Sequence, residues 1–434
     1  MRLDRVLFTG SVSPSHPLLD RMFGGSLRPM EAGDPASYDL VVVDGQQGGG
    51  HLAEGGTAHR ALAAGVAVLV VAPNEDQCSD LTKIVGSGPV IPVQAVFVTP
   101  SRNEGEARRR YDVRALGFVT DRHILGGSWG MNDAIPDGAR KRVRASAKAG
   151  DVALTEYIAH IERRVEQGFR PVALAEMPAG LKWSFSTWDY VMGFTYATGG
   201  DDPFTNGAGS LTFTMDFRTF LSQTETLTQT YVVMQGSYAL NPGGLAEDGP
   251  EGRCVMNMWM SSGVKPEPAG FAIVDHIPTS GDNSWSGDFT VRIFYAMPTG
   301  GTGEYEYPVS VKQDISGWSV QESSDGTQLG SRWYVNTPVN GITFPEENRR
   351  GAYNGAGHIE PFPSACTTTV TLQDASAWRV DGEYTGRLWL ACDFEAKGDS
   401  VYATGCALGL CFAWGVAWDY VSFFPRIGID IAWV

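Results

Sequence analysis

Trp183–Tyr196, WSFSTWDYVMGFTY, and Ser210–Leu221, SLTFTMDFRTFL, are two runs of period-two patterning separated by the turn GGDDPFTNGAG. Successive side chains of a strand point to opposite faces, so each run sorts its residues into two sets. The first run puts Trp188, Tyr190, Met192, Phe194 and Tyr196 on one face and Thr187, Asp189, Gly193 and Thr195 on the other. The second puts Leu211, Phe213, Met215 and Phe217 against Ser210, Thr212, Thr214, Asp216 and Arg218. The pattern predicts a β-hairpin with arms of about ten residues, apolar on one side.

Two environments suit such a hairpin. Inside a soluble sandwich the apolar face packs a core. In a closed barrel the same face meets lipid while the polar face lines a lumen, and about ten tilted residues cross a bilayer. In pattern alone, Trp183–Leu221 resembles the hairpins of β-pore-forming toxins, over roughly a tenth of the chain. The nine apolar residues from Trp188 to Phe217 are therefore the candidate face for contact with a membrane or with another subunit.

Toward the C-terminus, period two persists from Leu181 onward. Turn-rich clusters interrupt it at Thr198–Gly209, Asn241–Gly252, Pro278–Gly287, Pro298–Gly303, Glu322–Gly330 and Pro345–Gly357. Alternating segments between frequent turns describe an antiparallel β-sandwich or barrel-like domain, expected over 179–434. The Thr-rich tract Ser222–Thr230 reads as an exposed or solvent-lining strand. The last residues, with Ile427, Ile429, Ile431 and Trp433 on one face, read as a strand tied into the sheet.

Toward the N-terminus the pattern changes to near-continuous apolar runs at Arg5–Phe8, Asp39–Val43, Val66–Val71 and Val93–Val98. Runs of that kind suit strands buried on both faces. Expected helices at His16–Phe23, Ala58–Ala64 and Asp76–Val85 complete a small four-stranded parallel α/β domain over 1–100. Residues 101–178 read as a basic helical connector, with a helix opened by Asp151 that places Leu154, Tyr157, Ile158, Ile161 and Val165 on one face. A boundary is expected near Pro171–Pro178. The fold class is thus α/β plus all-β.

Charge supports the division. The net charge of −16 splits as −4 over Met1–Pro100, +4 over Ser101–Arg170 and −16 over Pro171–Val434. So acidic a C-terminal region argues against a duplex nucleic-acid partner. Arg108–Arg110 and the run Arg140, Lys141, Arg142, Arg144 and Lys148 read as solvated helix charge, with a polyanion contact as the alternative. No secretory h-region is evident, which points to a cytoplasmic protein or one released without such a signal. The six cysteines read as reduced thiols, with a Cys406–Cys411 disulfide as the alternative.

Motifs for chemistry are sparse. Thr9-Gly10-Ser11, Asp44-Gly45 and Gly48–His51 invite a nucleotide, but no GxGxxG or GxxxxGK[ST] accompanies them. Asp275-His276 and His358-x-Glu360 are the His–carboxylate neighbours of the C-terminal region, and Glu304, Glu306, Glu346 and Glu347 are conceivable partners in a glycosidase pair. None selects a reaction, so no catalytic or cofactor-binding residue is assigned, and neither a metal nor a cofactor is expected. The reading that follows is a non-enzymatic, self-assembling or pore-forming-like β protein. It is expected to form homo-oligomers with a possible membrane or protein partner, and its N-terminal α/β module serves for docking. The rivals are a hydrolase, carbohydrate-active among others, with its site in a β-domain cleft around His276 or His358, and an α/β nucleotide-binding regulator with a β sensor domain.

Overall fold

The computed structural model describes residues 5–9, 17–23, 29–30, 33–45, 49–53, 55–85, 87–89, 93–101, 110–117, 151–159, 177–196, 207–241, 254–268, 270–278, 281–336, 369–407, 410–423, 426–431 and 433. In chain order the strands are β1 (Val6–Thr9), β2 (Pro29–Met30), β3 (Leu40–Asp44), β4 (Ala67–Val71), β5 (Ser87–Pro89), β6 (Ala95–Ser101), β7 (Arg110–Leu116), β8 (Lys182–Tyr196), β9 (Gly207–Gln223) and β10 (Thr228–Asn241). They continue with β11 (Cys254–Pro266), β12 (Ala272–Ile277), β13 (Gly281–Ala296), β14 (Thr302–Glu322), β15 (Leu329–Asn336), β16 (Val370–Asp381), β17 (Gly386–Ala407), β18 (Leu410–Phe423) and β19 (Arg426–Ile431).

These strands form two large sheets. The first has 11 strands in the order β12-β16-β10-β9-β8-β7-β6-β4-β3-β1-β2. The second has 8, running β13-β14-β15-β11-β17-β19-β5 with β18 paired beside β17. Long antiparallel ladders dominate both, as the period-two patterning requires.

The N-terminal rhythm of strand and helix is present, with helices α1 (Pro17–Phe23), α2 (Gly49–Leu52), α3 (Thr57–Ala64) and α4 (Glu75–Val85). Local chemistry sets their ends. Gly65 closes α3 in the left-handed region at φ 86°, where a side chain would be strained. Asn74 and Gln77 cap α4 reciprocally, each side-chain oxygen accepting the other's backbone N–H at 2.9 Å.

Several expectations need correction. β1, β3 and β4 are parallel, but β6 runs antiparallel to β4. α4 and β5 lie between β4 and β6 in the chain, and β6 re-enters the sheet at the end where β4 leaves it, with Ala95 opposite Val71. Within the expected helical connector, Arg110–Leu116 is strand β7, which the sheet claims through its apolar Val113, Ala115 and Leu116. Residues 151–159 are helical, with Leu154 and Tyr157 buried. Ser222–Thr230 is not one strand: it holds the end of β9, a turn at 224–227 and the start of β10, the turn closed by Thr224 N–H donating to the Leu227 carbonyl at 2.7 Å. Residues 281–287, read as part of a turn, belong to β13.

Hydrogen bonds cross the expected divisions. β6 pairs with β7, β7 pairs in parallel with β8, and β5 pairs with β19 near the C-terminus, where Arg387 also donates to Ser79 Oγ at 2.9 Å. The first sheet is therefore a shared middle layer. One of its faces carries a core that α3 and α4 line at the N-terminal end, and the second sheet lines at the other, through Trp333, Phe394 and Ile429 among others. Its opposite face is covered by α1 and the 151–159 helix at one end. At the other end it is covered by β13 and β14.

Candidate functional site

The hairpin expected at Trp183–Leu221 is present as β8 and β9, in antiparallel register with Trp188 opposite Met215, Tyr190 opposite Phe213 and Met192 opposite Leu211. Tyr190, Leu211, Phe213, Met215 and Phe217 are buried. Phe213 stacks on Phe394 of the second sheet, ring centroids 4.1 Å apart, and lies 6.2 Å from Tyr190 and from Tyr238. In this conformation these five side chains are core, and contact with lipid or a second subunit needs the two sheets to part. Trp188, Met192, Phe194 and Tyr196 hold their ladder positions, and their side chains lie outside the described residues. The strand pair is flanked on both sides, by β7 and by β10, so releasing it breaks two further ladders.

A second dyad-patterned hairpin is held quite differently. β13 and β14 pair continuously from Ser284 opposite Asp314 to Ala296 opposite Thr302. A tight turn joins them, in which Gly300 N–H donates to the Met297 carbonyl at 2.9 Å and Gly300 and Gly301 take φ of 90° and 88°. One face is apolar and buried: Phe289, Val291, Ile293, Val309 and Val311 pack on Phe220, Val233, Ala375 and Ala377 of the first sheet, with Tyr305 and Tyr307 at the margin. The other is exposed and charged, with Asp288, Arg292, Glu304, Glu306 and Lys312. Arg292 Nε reaches Glu306 at 3.3 Å and Glu304 at 3.8 Å across the strands.

Beyond Asp314, and among the described residues, β14 joins the second sheet through Ser319–Glu322 against β15. Toward the first sheet, Phe294 N–H donates to Ser222 Oγ at 3.1 Å and Arg218 Nε donates to the Tyr307 hydroxyl at 3.1 Å. Among the described residues, 284–296 and 302–314 have each other as their strand partners. Charged side chains and Pro308, which has no N–H to give a ladder, sit on these edges and discourage premature strand addition.

The chemical candidates disperse. His276 lies on β12 with its Nε2 3.2 Å from Glu322 Oε1, a partner the sequence did not single out. Its backbone N–H donates to Asp275 Oδ1 at 2.9 Å. Glu304 and Glu306 pair with Arg292 on the hairpin. Asp44 ends β3, whereas the His51 ring lies 3.1 Å from Thr57 Oγ1. His358, Glu360, Glu346 and Glu347 lie outside the described residues, as do Arg108 and the run Arg140 to Lys148. Cys78 and Cys392 are buried free thiols. Cys406 and Cys411 are register partners on β17 and β18. Among the described residues, no helix is long and apolar enough to cross a membrane, which leaves strands untouched.

No protein-family model matches the sequence, and no curated protein does. Solved structures similar to part of the chain include one titled "Pore forming protein", with a TM-score of 0.31 and 7% identity over 56% of this chain and 91% of that one. Clostridium perfringens delta-toxin has a TM-score of 0.32 and 9% identity, over 59% of this chain and 95% of its own. Likenesses of this size carry no argument about function.

Proposed function

We propose that this chain is a non-enzymatic, self-assembling β protein of the pore-forming kind, in which β13–β14, rather than β8–β9, carries the membrane contact. The observation behind the reading is the hairpin's combination of patterning and tethering. Its ladder exceeds the roughly 9–11 tilted residues a bilayer-spanning strand needs. One face is free of charge and the other carries Asp288, Arg292, Glu304, Glu306 and Lys312 among Thr290, Phe294, Pro308 and Ser310, close to the division that separates lipid from lumen in a barrel. Once the hairpin is released, both long edges are open to a neighbouring copy, so copies placed side by side extend one ladder and closure of the ring leaves no free edge, with Pro308 the position that gives no N–H.

Leaving the first sheet exposes five buried apolar side chains, a cost on the order of 10 kcal/mol in water. The hydrocarbon of a bilayer takes up the same surface and offsets most of it. The monomer is thus stable in solution and released at a membrane. The N-terminal strands and helices, which the first sheet joins to the rest, serve as the docking part.

A disulfide lock tests the reading. Ser222→Cys with Phe294→Cys joins two positions already in hydrogen-bond contact. Oxidised, this variant is expected to bind liposomes without releasing an entrapped dye, and reduction is expected to restore release. Equal release in both states rules out this hairpin as the inserted element.

A further inference from the structure

The second sheet carries a cleft of about 320 Å³ on its outer side, over β11, β14, β15 and β17. Strand register builds it. Ser261 lies between Glu395 and Arg332 in one cross-strand row, and Gly263 lies between Asp393 and Gly330 in the next. Gln321 extends the first row as the partner of Arg332. The floor exists because two of its positions have no side chain. A Cβ at Gly263 would lie 2.7 Å from Gln328 Nε2, and one at Gly330 would lie 2.6 Å from Ser323 Oγ.

The lining is polar, which excludes a lipid tail or a flat apolar ligand. Asp393 Oδ1 is shielded from solvent and has no hydrogen-bond partner among the described residues. An acceptor of this kind takes a hydrogen bond from water or from a ligand hydroxyl that replaces it. Burial raises the Asp393 carboxyl above its ordinary range. It does the same to Glu395, with the neighbouring Asp393 adding to the rise and Arg332 opposing it. The two carboxylates disfavour an anion, while the Arg332 guanidinium, placed 4.6 Å over the Trp259 ring, disfavours a simple cation. A neutral ligand rich in hydroxyl groups suits this mixture, donating to the carboxylates and exchanging hydrogen bonds with the amides of Gln321 and Gln328. The volume lies at the small end of ligand sites, which run from about 300 to 1,000 Å³.

We propose that this cleft is a binding site for a carbohydrate of one or two rings, with Asp393, Glu395, Gln321 and Gln328 meeting its hydroxyls. The assignment is independent of the hairpin. It is tested on the full chain by saturation-transfer NMR with free maltose, lactose and N-acetylglucosamine as probes. Transfer to at least one sugar is expected. Asp393→Asn, which removes a charged acceptor, should weaken it about tenfold or more while leaving the melting temperature near wild type. Gly263→Ala, which keeps every charge but fills the floor, should weaken it as well. Absence of transfer from all three sugars overturns the proposal, as does transfer that both variants leave unchanged. A melting temperature raised by calcium chloride, with no response to any sugar, reassigns the cleft to a cation and equally overturns it.

Discussion

Arg114 and Asp189 are register partners on the parallel pair β7 and β8, and their side chains form an ion pair at 2.9 Å with both almost fully buried. Thr214, opposite Asp189 on β9, donates to the other carboxylate oxygen. The pair stitches the N-terminal strands to the C-terminal ones inside a single sheet. Removing one partner leaves a buried charge uncompensated, so Asp189→Ala is expected to cost about 3–5 kcal/mol. Urea unfolding followed by tryptophan fluorescence and by far-ultraviolet dichroism checks this. Both probes should shift together, and a loss confined to one of two separate transitions would show that the halves unfold independently.

Phe213 provides a contrast between core and contact surface. With its ring stacked on Phe394 between the sheets, Phe213→Ala should cost about 3–5 kcal/mol, and Phe213→Asp should cost more, because it buries a charge. Thr290→Asp on the exposed face of β13 should change stability by less than about 0.5 kcal/mol. Thermal melting separates the two sites. A Phe213→Asp protein that melts like wild type but no longer assembles would make β8–β9 the contact face after all.

Asp374 makes the sandwich sensitive to pH. It is fully buried between the sheets, where its Oδ1 accepts from the Tyr238 hydroxyl at 2.8 Å and Ser262 Oγ donates to that hydroxyl at 3.0 Å. Burial pushes the carboxyl up to about 7 from an ordinary 3.8, and the Tyr238 hydrogen bond, working the other way, does not offset it. The folded state therefore keeps this proton to higher pH than the unfolded chain. Its contribution is complete below the ordinary value and declines as pH rises toward 7, by something on the order of 4 kcal/mol. Asp374→Asn should flatten the fall in melting temperature between pH 4 and pH 7 and raise the melting temperature at pH 8. A slope identical to wild type would mean that other groups set it.

Local patterning made much of this fold legible. Phe213, Met215 and Phe217 announced a strand face by alternation alone, and Val68, Leu69 and Val70 announced a strand covered on both sides. What alternation does not carry is the identity of the covering layer. The apolar side of β9 looks the same in sequence whether Phe394 or lipid lies over it. Nor does a run of valines state strand direction, which is why β6 was expected parallel. The β13–β14 hairpin was missed because Pro278, Gly281, Asp282, Asn283 and Gly287 have the composition of a loop. The readable signal lay just beyond, in FTVRIFY at 289–295 and YEYPVSV at 305–311 around a Gly-rich turn. The cleft was not legible, since Asp393, Arg332 and Gly263 meet only through the register of three strands.

The central claim is that β13–β14 leaves the first sheet and enters the bilayer with its two faces sorted. Single cysteines placed at successive positions from Phe289 to Phe294 and from Glu306 to Ser310, each labelled with an environment-sensitive dye, measure this directly as liposomes are added. Alternation is expected. Dyes at Val291, Ile293 and Val309, already in an apolar setting, should remain so and become quenchable by lipid-borne quenchers, whereas dyes at Thr290, Arg292 and Ser310 should stay in water and resist those quenchers. Dyes that no lipid quencher reaches at any position, under conditions where the protein does permeabilise the liposomes, would contradict it.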